Sequence, residues 1–125
     1  MTAAIRASGL TKVYGTKVAL DSLDLSVEEG SIFGFLGPNG AGKTTMLRLT
    51  TGLTRASRGS IEVLGHDIRL AGNPMRAEIG FLPDVPAFYG WMSAEEFLRF
   101  AGGLFGLGGA VLNDRIEMLL DLAGL

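Results

Sequence analysis

An α/β fold with a helical tail follows from three features of the chain. Residues 3–10 and 20–27 alternate loosely between apolar and polar side chains. Between residues 31 and 51 a short apolar run, a glycine-rich bend and a helical pattern follow one another. Past residue 93 the apolar spacing is that of helices. Strands and helices mixed in this way define the class.

The elements can be justified in order. In residues 20–27, Leu23, Leu25 and Val27 face one way, while Asp24, Ser26 and the following Glu28 face the other. That is the period of a half-buried antiparallel strand. Glu29-Gly30 makes a turn. Residues 31–36 are almost continuously apolar, which predicts a strand covered on both faces, as in a parallel sheet. Residues 37–42 break it, and 43–51 read as a helix stopping at Gly52. Residues 60–64 predict another strand, with Ile61 and Val63 on one side. Residues 77–82 form a third buried-looking run, interrupted by Pro83-Asp84-Val85-Pro86.

Ser93 and Glu96 have capping-box spacing. They open a helix whose Phe97, Phe100, Ala101, Leu104 and Phe105 follow the 3.6 period. Gly102, Gly103 and Gly106 should weaken it by roughly 1 kcal/mol each. Residues 111–123 repeat the spacing at Leu112, Ile116, Leu119, Leu120 and Ala123, with Gly124 as a stop.

Composition narrows the function. With 125 residues, the chain has room for one ordinary domain. It is 47% hydrophobic and 19% charged, so it can build a core. A net charge of −2 lacks the positive footprint of a dedicated nucleic-acid binder. The absence of Cys excludes disulfides and thiolate chemistry, and His66 alone cannot build a histidine metal site. His66 reads as a surface turn residue without a catalytic role, and Arg55 and Arg58 read as solvated residues beside a turn. No signal pattern opens the chain and no apolar run approaches the ~18–20 residues of a membrane span, so a soluble intracellular chain is expected. Glycine is the outlier, at 19 of 125 against a usual ~7%.

Part of that glycine sits in Gly37-Pro38-Asn39-Gly40-Ala41-Gly42-Lys43-Thr44, a full match to G-x-x-x-x-G-K-[ST]. The context is the required one, an apolar strand-like run before it and a helix after it. Glycines let successive amides turn inward as an anion nest, and the helix N-terminus adds its positive dipole end. Lys43 brings an ammonium for β- and γ-phosphates, Thr44 a hydroxyl for Mg²⁺, and Thr45 a donor for a phosphate oxygen. A glycine-rich turn with a chance Lys-Thr is the alternative, and the strand and helix flanks argue against it.

Extended to Thr45, this loop resembles the Walker A motif of ABC-transporter ATP-binding subunits. The flanks agree: residues 10–15 and 19–30 are similar to that family's opening strands, 51–65 to the stretch after its P-loop helix, and 79–84 to the approach to its Q-loop. The resemblance covers essentially the whole chain and implies an incomplete P-loop NTPase fold of the ABC ATPase type. It comprises an N-terminal antiparallel β part, the P-loop strand and helix, and the start of the helical subdomain. The implied boundaries are a β and P-loop portion over 1–82, a Q-loop region over 83–92, and a helical start over 93–125. The acidic Q-loop and its aromatic sequel are similar to the subgroup serving ABC-2-type exporters.

The resemblance also implies ligands and partners. ATP and Mg²⁺ are the expected cofactors. Tyr14 falls at the aromatic that stacks on adenine; read without the family, it is a strand or core tyrosine. Asp84 stands where most of the family has the Gln that approaches Mg²⁺ and the attacking water. A carboxylate can bind Mg²⁺ but cannot donate as an amide does; the plain reading is a Pro-Asp turn. Asp84 to Met92 is expected to face an ABC transmembrane subunit, although Phe88, Tyr89 and Trp91 suit local core packing equally well. A dimeric ATP sandwich in the full-length protein, no nucleic-acid partner, and a cytoplasmic position on the inner face of the cell membrane complete the expectations.

The family's signature segment, Walker B aspartate, catalytic glutamate and switch histidine are not among these residues; Gly102-Gly103 and Gly108-Gly109 lack the signature context. Met1 reads as a start, so these segments are expected beyond residue 125. The chain alone is then expected to turn over ATP weakly or not at all, and residues 31–36 to present an unpaired strand edge. A GTPase is disfavoured because no Asn-Lys-x-Asp guanine reader is present, and a small-molecule kinase because no lid or acceptor site is evident. A non-catalytic nucleotide-binding or regulatory fragment is the remaining alternative.

Overall fold

The computed structural model describes residues 2–70 and 74–125, so Met1 lies outside the described residues. The chain divides into two compact units, Met1–Phe81 and Leu82–Leu125.

The first unit is built on a long hairpin. Strands β1 (Ala3–Tyr14) and β2 (Lys17–Glu28) run antiparallel, with Tyr14 opposite Lys17. Gly15, at φ +60°, opens the two-residue bend between them. Strand β3 (Arg58–Val63) pairs antiparallel with the other edge of β1, and the two-residue β4 (His66–Asp67) pairs with β3. The sheet order is β2-β1-β3-β4. As the alternation requires, Leu23 and Leu25 pack toward the core, while Asp24, Ser26 and Glu28 are exposed.

One sheet face is covered by helix α1 (Lys43–Thr50), which buries Met46 and Leu49. A 3₁₀ turn, Pro74–Glu78, adds Met75 to the same core. Leu10, Leu49, Ile61 and Met75 are fully buried. Each contributes about 1.5–3 kcal/mol by leaving water. The core thus ties α1, which opens directly from the glycine bend, to β1 and β3.

Two apolar runs did not become strands. Residues 31–36 join no ladder among the described residues, and Ile32 and Leu36 are almost wholly exposed. Residues 77–82 begin in the 3₁₀ turn and continue irregularly, leaving Leu82 exposed. A strand exists only through its neighbour's carbonyls and amides, and no described segment supplies them. Residues 31–36 are therefore neither the expected strand nor buried on both faces, and what remains of the expectation is a backbone that joins no ladder among the described residues.

The second unit is a pair of helices, α2 (Ala94–Leu104) and α3 (Gly109–Ala123). The predicted capping box is present: the Glu96 amide donates to Ser93 Oγ at 3.2 Å and the Ser93 amide to Glu96 Oε2 at 2.8 Å. Leu112 and Ile116 of α3 are buried, and Arg99 joins the helices by donating to Asn113 Oδ1 at 2.8 Å. Gly102 has a packing reason that helix propensity does not reveal. A Cβ there would lie 2.4 Å from a terminal methyl of Leu112.

Gly106 is not a weak point inside α2, because it stops the helix. Its amide donates to the Gly103 carbonyl, and the Leu107 amide to the Gly102 carbonyl. The same double bond closes α1, from Gly52 to Leu49 and Leu53 to Arg48, and α3, from Gly124 to Asp121 and Leu125 to Leu120. Each helix thus ends in one motif with a left-handed glycine, which accounts for part of the glycine excess.

Candidate phosphate-binding site

The glycine bend is positioned from both sides. The last apolar residues before it carry no ladder, so its placement comes from α1 and from β2. Gly42 is the N-cap of α1 at φ +92°, with no side chain capping the helix. A Cβ on Gly42 would lie 2.5 Å from the Ala19 carbonyl oxygen and 3.1 Å from Leu20 Cδ1. Only glycine lets the bend press this closely against β2 in a left-handed conformation. Gly37 is tight as well, since its Cβ would meet that of Ala41 at 3.2 Å. Pro38 and Ala41 close the turn through an amide-to-carbonyl bond of 3.1 Å.

Lys43 folds back over this bend. Its ammonium donates to the Pro38 carbonyl at 2.8 Å and also to the Gly37 carbonyl. Among the described residues, the amides of Gly40, Gly42, Lys43, Thr44 and Thr45 donate to no protein group, and the first helical bond starts only at Met46, to Gly42. Asn39, Thr44 and Thr45 complete the bend, with the two threonines on the first turn of α1. Free amides, a helix N-terminus and one ammonium make a donor set that fits an oligophosphate. No cluster of three acidic or histidine side chains occurs among the described residues.

Tyr14 lies at the same end of the sheet. It pairs with Lys17, and Lys12 pairs with Leu20, the residue beside the carbonyl that backs Gly42. Tyr14 is 43% exposed, so it is not a core tyrosine. Lys12 was not singled out by sequence, yet its ammonium sits over the Tyr14 ring at 4.8 Å and donates to the Arg55 carbonyl at 2.7 Å. Its spacing of two from Tyr14 on one strand, which puts both on one face, is the signal that could have found it. The segment carrying Arg55 is itself tied to β1, with the Ser57 amide on the Thr11 carbonyl at 2.8 Å and the Val13 amide on Ser57 Oγ at 3.0 Å.

The remaining sequence candidates lie elsewhere. Asp84 is exposed in the second unit, in a non-helical stretch. The aromatics after it pack on α2: Phe88 meets Phe97 edge-on at 5.1 Å, and Tyr89 meets Phe100 at 5.8 Å. Trp91 stacks on Tyr89 at 4.9 Å yet stays 77% exposed. Phe88, Tyr89 and Phe97, with Met92, Leu119 and Leu120, line a hollow of ≈ 480 Å³. His66 is exposed, as expected, but it lies in β4 opposite Val63 and not in the turn before it. Asp67 beside it is held by Arg69 through bonds of 2.9, 3.0 and 2.5 Å, and its pKa is lowered from 3.8 to about 2, first by the side-chain hydrogen bond from Arg69.

The bend, its free amides and the helix that follows have the layout of a P-loop domain. Family comparison takes this further: residues 20–125 match the ABC transporter family, and the chain belongs to it. It is 40% identical over 125 residues to Nod factor export ATP-binding protein I of Cupriavidus metallidurans, covering all of this chain and 41% of that one. It is 35% identical over 125 residues to the bacitracin transport ATP-binding protein BcrA of Bacillus licheniformis, again over the whole chain and 40% of the relative. A solved ATP-binding subunit of an ABC transporter superimposes with a TM-score of 0.80 at 28% identity, over 94% of this chain and 49% of that one. A nucleotide-free ATP-binding cassette from an ABC transporter superimposes with a TM-score of 0.51 at 33% identity, over 54% of this chain and 26% of that one. The chain therefore spans about two fifths of the length of these two curated relatives. ATP binding and ATPase activity are traits of the family. Among the described residues, no helix is long and apolar enough to cross a membrane.

Proposed function

We propose that this chain binds ATP, through the loop from Gly37 to Thr45, as part of an ATP-binding subunit of an ABC exporter. The observation that carries the reading is the set of amides of Gly40, Gly42, Lys43, Thr44 and Thr45 without protein partners among the described residues, at a helix N-terminus and beside the Lys43 ammonium. Those amides would cradle the β-phosphate, and Lys43 would exchange its carbonyl partners for β- and γ-oxygens. Thr44 would hold Mg²⁺ by its hydroxyl, and the cation would supply charge neutralisation at the phosphates. Tyr14 would carry the adenine by stacking, a contact of ~1–3 kcal/mol.

Export as the direction is supported by the relative named for Nod factor export and by the ABC-2-like character of Asp84 and the aromatics after it. In this reading the region from Asp84 to Met92 meets a separate membrane subunit, two copies of the full-length protein close over ATP as a sandwich, and the protein works in the cytoplasm on the inner face of the membrane. The exposed Trp91 supports such a face.

The chain carries the phosphate cradle but no Walker B aspartate or water-polarising glutamate. Hydrolysis at such sites depends on positioning and charge around the γ-phosphate, so the 125 residues bind without efficient turnover. Calorimetric titration with MgATP tests the binding: Lys43→Ala should weaken it at least about tenfold, ~1.4 kcal/mol. Unchanged affinity in that variant rejects the reading. Steady-state phosphate release tests the second part, and a rate equal to that of a full-length relative would refute it.

A further inference from the structure

We infer that Lys12 is a positioning residue for nucleotide recognition: it holds the Tyr14 ring in the orientation that receives the base. The inference rests on the proposed ATP site and adds a residue to it. Three observations carry it. The Lys12 ammonium stands over the Tyr14 ring, 4.8 Å from its centre. The same ammonium is anchored by the Arg55 carbonyl at 2.7 Å, so it is a fixed charge and not a waving surface lysine. The anchor belongs to the segment that leaves the C-terminal end of α1, and Ser57 pins that segment to β1 on either side of Lys12, at Thr11 and Val13.

The physical consequence is a chain of contacts between the two ends of the site. The bend that would take the phosphates opens α1; the segment leaving α1 fixes Lys12; Lys12 fixes the ring. A cation is drawn to a ring face by the quadrupole, so the ammonium claims one face and sets the tilt of the ring. Tyr14 is 43% exposed near the hairpin end. A ring held in place before the base arrives loses less freedom on binding. Withdrawal of ring electron density by the ammonium also favours stacking on an electron-rich purine through the second face.

The test separates positioning from general charge. The intact chain and the variants Lys12→Met and Lys12→Arg are titrated calorimetrically with MgATP and with inorganic tripolyphosphate. Lys12→Met keeps the apolar stem and removes the charge; Lys12→Arg keeps a cation able to sit on the ring. Lys12→Met should weaken ATP about two- to fivefold, as expected for an exposed cation–π contact, and leave tripolyphosphate unchanged, while Lys12→Arg restores ATP affinity. Equal weakening of both ligands would show a general charge or folding effect and overturn the inference, as would unchanged ATP affinity. Loss of both ligands in Lys43→Ala, with tripolyphosphate unaffected by Lys12→Met, confirms that the two residues act at different ends. A native chain that binds neither ligand defeats the phosphate-loop reading itself, and this one with it.

Discussion

At the scale of single residues, Gly42 carries the most constraint. It must hold φ +92° and leave the Ala19 carbonyl undisturbed. An alanine there has a left-handed backbone cost of roughly 1–2 kcal/mol and drives its methyl into a backbone oxygen that has little freedom to yield. Gly42→Ala should therefore weaken MgATP at least about tenfold. Calorimetry checks this, and undiminished affinity would show that the contact with β2 does not shape the loop. Gly40 offers a contrast: it is also left-handed, but a Cβ there meets nothing within 4 Å. The motif's spacing made both glycines legible, but not which of them is held by β2, because that contact comes from a residue about twenty positions away.

At the scale of elements, the hairpin from β3 to β4 ends in the Asp67–Arg69 pair. The Asp67 carboxyl sits at about 2 in the folded chain against 3.8 for the free group. A depressed carboxylate contributes stability that is complete above the unfolded value and is lost as pH falls through the folded one. Melting temperature should therefore fall between pH 4 and pH 2, and Asp67→Asn should flatten that part of the profile. Parallel profiles for the two proteins would show that the pair adds nothing, the common result for exposed ion pairs.

Elements also show how far local pattern reaches. The alternation of Leu23, Leu25 and Val27 announced β2, and Ser93 with Glu96 announced α2, because both signals are complete within a few residues. Residues 31–36 and 77–82 looked like strands because apolar runs report a preference for burial. That preference names no hydrogen-bonding partner, and without one Ile32 and Leu82 stay in solvent. Tyr14 was legible as a strand tyrosine, while the ammonium over its ring comes from Lys12, two positions earlier on the same strand, which no motif singled out. Asp84 was legible only as a position in a motif, since its surroundings in the second unit add no hydrogen bond or ring contact to it.

At the scale of the whole molecule, residues 31–36 dominate behaviour in solution. Ile32, Phe33 and Leu36 are exposed on a stretch whose amides and carbonyls join no ladder among the described residues. Such an edge pairs readily between copies. The chain should associate as its concentration rises, and Ile32→Lys should suppress this by placing a charge on the edge. Light scattering across a dilution series reads the effect; a monomer at all concentrations, or a variant that scatters as the parent does, would rule it out. With a net charge of only −2, long-range repulsion does little to keep copies apart.

If the proposed site takes phosphate, the lysine that leans on its own bend gives that capture the character of an exchange. Lys43 already rests on the oxygens of Gly37 and Pro38, so the loop is moulded around a positive charge before any anion approaches. An arriving polyphosphate changes what the side chain grips more than where the main chain runs. Affinity is then the difference between two holds on one ammonium, and a newcomer gains entry only by outbidding a pair of neutral carbonyls.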